Sequence, residues 1–168
     1  MKNWMLIVFI VALFTGCNDE KQSFTDQYDN LMMENDSIEQ VQMKFENANQ
    51  EMAQNHKELM QQMSTMQIQD STILEDMAQH EVILKKHEAL LEGHQKMIQG
   101  HKDLKQNFGN LSTDEMRAQI TEMGNVHDRI KEDHESMRQE HDRLMEDHQK
   151  IRGNLRENDL DIGTENEG

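Results

Sequence analysis

The chain predicts an all-α fold of long coiled-coil helices, and three observations carry that reading. Histidine recurs every seven residues in two runs: His80, His87, His94, His101, and then His127, His134, His141, His148. Three residues after each comes an apolar side chain: Ile83, Leu90, Met97 and Leu104 in the first run, Ile130, Met137, Leu144 and Ile151 in the second. That is a heptad with histidine at one seam position, a, and an aliphatic or thioether side chain at the other, d. Finally, the 168 residues include no Pro, 4% aromatics and 30% charged side chains, too polar a mixture for a thick globular core. Helices that bury a narrow stripe suit such a chain.

The formal net charge is −16 with histidine neutral. A nucleic-acid backbone needs a basic footprint, so nucleic acid is excluded as a partner. Cations, basic partners or solubility are what this charge serves. The single cysteine, Cys17, leaves no intramolecular disulfide.

Taken in order, the chain opens with Lys2 and an apolar run from Trp4 to Phe14. The run is short for a membrane span and fits the apolar core of a signal peptide. It ends in Phe14-Thr15-Gly16-Cys17. This resembles the lipobox of bacterial lipoproteins, in which a small residue before Cys permits cleavage and the Cys then carries the lipid. The resemblance covers the first seventeen residues and departs at Phe14, where the pattern usually has Leu. It implies a signal peptide over 1–16, a lipidated, palmitate-bearing Cys17, and a polar tether completing 17–24. Asn18 does not match the Asp of inner-membrane retention signals. The acidic Asp19-Glu20 that follows is similar to export signals of surface lipoproteins in some diderm bacteria. The implied location is the cell envelope, with a lipid anchor in the outer membrane facing periplasm or cell surface.

Beyond the tether the pattern turns helical. Leu31, Ile38, Phe45, Met52, Leu59, Met66 and Ile73 stand seven apart and run in the same phase into His80–His101 and Phe108. The d positions are apolar at Val41 and Ala48, polar at Asn55, Gln62 and Gln69, and apolar again from Ile83. Unbroken phase without Gly or Pro favours one long helix over 25–108. A break at 67–72 competes with it, because Thr72 and Glu75 have capping-box spacing. The turn falls at 109–112, where Gly109 suits a helix C-terminus and Asn110 tolerates a left-handed backbone. Ser112 and Glu115 form a capping box for the second helix, 113–153. Helix, short loop and helix make an αα-hairpin turning near Gly109. Folded level about that turn, His94 meets His127, His87 meets His134 and His80 meets His141; a slightly later centre sets each His against a d residue, such as His87 against Met137. The acidic tail, 154–168, is expected to be disordered. In the first histidine arm Leu84, Leu91 and Ile98 widen the stripe, which needs a further neighbour: the segment Phe24–Met66 or a second copy of the chain.

Histidines seven apart on one helix stand about 10.5 Å apart along its axis. They cannot share a metal whose ligand nitrogens lie about 2 Å from the ion. A site therefore needs imidazole from a facing helix or a second ligand one turn away. The candidate ligands are His80, His87, His94, His101, His127, His134, His141 and His148, with Met97, Met137 and Met145 as thioether neighbours. Thioether with imidazole favours Cu(I) or Ag(I), and imidazole with carboxylate favours Zn(II) or Ni(II). The His-x-x-Met spacings are similar to those of periplasmic silver- and copper-binding proteins, although seam packing alone generates some of them. Buried neutral histidines would also make stability fall with acidification. Catalysis has little foothold: the one Cys is the lipid site, and a regular repeat makes no single histidine special.

The expected function is a non-enzymatic, lipid-anchored coiled-coil structural or interaction protein of the bacterial envelope, without cofactor. Its partners would be the membrane, through the lipid, and helices of itself or of another protein. The alternative is a periplasmic metal-binding or buffering protein that holds Cu, Ag, Zn or Ni on the His/Met seam.

Overall fold

The computed structural model describes the backbone of residues 4–165 and the side chains of residues 19–156. The side chains of the expected signal peptide, 1–16, and of Cys17 lie outside the described residues. The fold is all-α: α1 (Trp4–Thr65), α2 (Ser71–Leu104) and α3 (Thr113–Glu165), with a 3-10 turn at Phe108–Asn110, and no strand among the described residues. Two compact units each take a section of all three helices, one from Met1–Gln40 and His94–Lys131, the other from Val41–Gly93 and Glu132–Gly168.

The continuous helix expected over 25–108 is in fact two helices. The chain leaves α1 in a Schellman closure: Ile68 N–H donates to Met63 O at 3.0 Å and Gln67 N–H to Ser64 O at 3.2 Å, with Gln67 left-handed at φ 54°. Ile68 packs back on the Met63 cluster, the apolar contact that accompanies this cap. The next helix starts under Asp70, whose Oδ1 accepts from the N–H groups of Thr72 at 2.8 Å and Ile73 at 3.3 Å. Asp70, not Thr72 with Glu75, is therefore the cap. A turn closed by a left-handed glutamine has no Gly or Pro to announce it.

The second turn also differs from expectation in its mechanism. Among the described residues Gln67 is the only non-glycine with positive φ, and no glycine has one. Gly109 and Asn110 instead sit in the 3-10 turn, closed by Asn110 N–H to Asn107 O at 3.0 Å and Leu111 N–H to Phe108 O at 3.1 Å. Phe108 anchors it, stacked on Tyr28 with ring centroids 4.0 Å apart. The Ser112/Glu115 capping box is present: Ser112 N–H donates to Glu115 at 2.8 Å and Glu115 N–H to Ser112 Oγ at 3.4 Å. At the far end α3 continues past Gly153, and Leu155 is buried against Leu59, Met63, Met77 and Ile151, where a disordered tail was expected from Asn154. The rest of that expected tail has no described side chains.

In the first unit, Tyr28, Met32, Phe108, Met116 and Met123 form one apolar cluster, and Ile38, Ile98, Val126 and Ile130 form another. Its α1 section runs antiparallel to α2, with Tyr28 Oη donating to His101 O at 3.0 Å and Asn35 Nδ2 to Ile98 O at 3.4 Å. In the second unit the same antiparallel sense is set by Gln42 to Leu91 O at 2.8 Å and Asn49 to Leu84 O at 3.4 Å. The α1 section thus covers the wide α2 stripe in each unit. What it contributes to the interior is only in part the expected a/d pair: Ile38 and Leu59, at a, are buried, and a second series is buried beside them. Tyr28, Asn35, Gln42, Asn49, His56 and Met63, each seven residues on, are buried. That is position e of the Leu31 phase; Val41, at d, is 37% exposed.

Candidate functional site

Each amide of the α1 series does two jobs. Its NH2 donates to an α2 carbonyl, and its oxygen faces a ring nitrogen of an α3 histidine. In the first unit Asn35 Oδ1 accepts from His101 Nδ1 at 3.0 Å and lies 3.4 Å from His127 Nε2. The two rings stand edge to face, 5.1 Å between centroids. His127 Nδ1 lies 3.1 Å from Glu34 Oε2, and Glu34 also pairs with Lys131, so hydrogen bonds from Lys131 and His127 hold the Glu34 carboxyl below its ordinary range. Burial, reinforced by the neighbouring His127, pushes His101 down to about 4.

The second unit repeats this chemistry. Gln42 Oε1 accepts from His134 Nε2 at 2.9 Å, and Phe45 stacks on the His134 ring at 4.7 Å. Asn49 Oδ1 lies 3.3 Å from His141 Nε2, which is 3.1 Å from His87 Nδ1. His87 Nε2 bonds Glu140, itself 3.0 Å from Lys86 Nζ. Burial first, then His87, holds His141 below its ordinary value. Burial opposes ionisation of Glu140, but its bonds from His87 and Lys86 leave it lowered. The buried amides of these layers are hydrogen-bonded, the condition under which buried polar groups do not cost stability.

At the next step of the α1 series the amide is replaced by His56. Its Nδ1 lies 3.3 Å from His148 Nε2, and His80 closes the layer at 5.1 Å from the His148 ring centroid and 6.4 Å from that of His56. One ring nitrogen from each of the three lies within 4.8 Å of the others. All three rings are buried, at 7%, 5% and 4% exposure for His56, His80 and His148. His80 Nε2 points to Asp147 Oδ2 at 3.5 Å, and the Nδ1 atoms of His80 and His148 are buried without a hydrogen-bond partner. Burial, then the facing His80 and His56, pushes His148 down to about 4. Burial and His80 likewise lower His56, against an opposing pull from Glu81.

All eight histidines of the sequence-derived ligand set are buried. The pairs in contact are His80 with His148, His87 with His141, and His101 with His127. Each is one heptad beyond the pairing expected from a level fold, because the second turn consumes more chain than 109–112. His94 is buried in the first unit, and His134 is held by Gln42 in the second. The thioethers scatter: Met137 is fully buried, Met97 packs by Ile98 and takes a contact from Arg129 at 3.2 Å, and Met145 is 49% exposed. Sequence reasoning missed His56. Its signal was the heptad Asn35, Gln42, Asn49, His56, which an apolar search passes over.

No family model matches the chain, and neither the curated proteins nor the solved structures yield a match. Among the described residues no helix is long and apolar enough to cross a membrane.

Proposed function

We propose that the protein is a non-enzymatic, lipid-anchored helical scaffold of the bacterial cell envelope, held in the outer membrane through Cys17 and working by coiled-coil pairing of its body with a second copy. The anchor rests on the lipobox-like Phe14-Thr15-Gly16-Cys17. The pairing rests on a groove of the second unit, about 580 Å³, walled by Val41, Phe45, Ala48, Met52 and Met145. The α1 members are a and d residues from the middle of the seam, half-buried or exposed between the buried Ile38 and Leu59. A helix with one polar stripe facing its neighbours and one apolar stripe facing outward is built to take another helix.

A second copy is the occupant because the rim carries both signs: Lys44, Arg138 and Arg152 beside Glu51 and Asp142. A two-fold pairing of like surfaces requires such self-complementarity. Sedimentation velocity of the full chain in detergent tests it. A dimer that Met52→Glu, Met145→Glu or both convert to monomer is expected. A wild-type monomer at micromolar concentration contradicts the pairing.

A further inference from the structure

We propose that His56, His80 and His148 bind a divalent first-row transition metal, for which Zn(II) is the best-suited ion.

The α1 repeat breaks at His56. The amides of Asn35, Gln42 and Asn49 each donate to an α2 carbonyl while their oxygens face an α3 imidazole. His56 keeps only the α3 contact, Nδ1 to His148 Nε2 at 3.3 Å, and among the described residues it bonds no α2 carbonyl. The layer accordingly holds two buried ring nitrogens with no partner, His80 Nδ1 and His148 Nδ1. Leaving a buried polar atom without its hydrogen bond costs about 1–3 kcal/mol, so two such imidazole nitrogens in one layer need a reason.

A metal ion gives the unpartnered Nδ1 of His80 a partner. His80 Nε2 faces Asp147 Oδ2 at 3.5 Å, a contact that favours the Nε2–H tautomer and leaves the Nδ1 lone pair unused. A carboxylate that orients an imidazole in this way is the usual outer support of a zinc-bound histidine. Nitrogens bound at 2.0–2.1 Å in a tetrahedron lie about 3.3 Å apart. His56 Nδ1 and His148 Nε2 are already 3.3 Å apart, and the three-residue set needs a contraction from no more than 4.8 Å. Three imidazoles with no thiolate select Zn(II), Cu(II) or Ni(II) over Cu(I) or Ag(I). Access is provided by a groove of about 640 Å³ between α1 and α2 of the same unit. His56 lines it, with Glu46, Glu81, Glu88 and Glu92 against Lys57 and Lys85, so its walls attract cations. Water from that groove would complete the coordination.

His148 also lines the dimer groove, but the test of the metal site does not depend on pairing. The full chain in detergent is dialysed against Zn(II) at micromolar concentration and assayed for retained metal. Co(II) serves as the spectroscopic probe. One ion per chain is expected, with the visible absorption of nitrogen-ligated tetrahedral Co(II). His56→Asn is the decisive variant, because it extends the amide repeat: it should melt no lower than the parent and lose the tight site. His80→Gln and His148→Gln should also lose it, His101→Gln should keep it, and Asp147→Asn should weaken it by about 10–100-fold. No retained Zn(II), or Zn(II) retained equally by His56→Asn, overturns the proposal; the second result would assign the metal to surface carboxylates.

Discussion

His101 donates from Nδ1 to Asn35 Oδ1 across 3.0 Å, and the same oxygen lies 3.4 Å from His127 Nε2. One asparagine thus meets imidazoles from two helices while its own NH2 reaches a third group, Ile98 O. Replacing it with a side chain of similar size but no polar atoms strands all three. Asn35→Leu should lose about 1–3 kcal/mol, the cost of buried donors and acceptors left unmade. A urea titration reads this as a lower midpoint with unchanged slope, and an unchanged midpoint would remove the layer from the stability of the fold.

Acid should weaken this layer before it weakens the carboxylates. His101 has a folded value of about 4 against an ordinary 6.5, so the folded state prefers its neutral ring. Its contribution is fully present above pH 6.5 and is lost as pH falls from 6.5 toward 4. Glu34 is shifted downward from 4.5 by Lys131 and His127, so its contribution is present above 4.5 and is lost only at lower pH. Urea midpoints at pH 7.5, 5.5 and 4 should therefore fall stepwise, and His101→Gln should flatten the upper step.

The first turn offers a pair of opposite predictions. Gln67 holds φ 54°, a conformation that costs an L-residue about 1–2 kcal/mol and glycine little. Gln67→Gly should stabilise the chain by about 0.5–1 kcal/mol after the entropy of the added glycine is set against that relief. Asp70→Ala removes the acceptor for two helix N–H groups and should cost about 1 kcal/mol. Thermal melts of the two variants should move in opposite directions.

The anchor is tested separately. Cys17→Ser should abolish palmitate labelling in a bacterial host and shift the protein from the detergent phase to the aqueous phase. Continued labelling of the variant would exclude Cys17 as the lipid site.

The heptads of His80–His101 and His127–His148 made the helices legible, and the Ser112/Glu115 box marked where the last one starts. The first turn was legible only as a competing break at 67–72, because Gln67 needs no glycine to go left-handed and the intervening residues preserve the phase. The α1 interior was hidden for a different reason. Its repeat is Asn35, Gln42, Asn49 and His56, and periodicity of polar residues looks like a solvated face until two more helices supply their hydrogen-bond partners. The apolar repeat through Phe45 and Met52 was read correctly as a seam but faces a groove. The histidine pairing slipped by one heptad because Lys105–Ser112, with its 3-10 segment, is a longer connection than Gly109 alone suggested.

Histidines of different helices face one another in ordered, buried layers. Long-range proton–nitrogen correlation spectra of the imidazole rings in the full chain test this most directly. The account predicts an Nδ1–H tautomer for His101 and an Nε2–H tautomer for His80, with His101 still neutral at pH 5.5. Ring signals that average both tautomers, with His101 titrating at the ordinary 6.5, would contradict it.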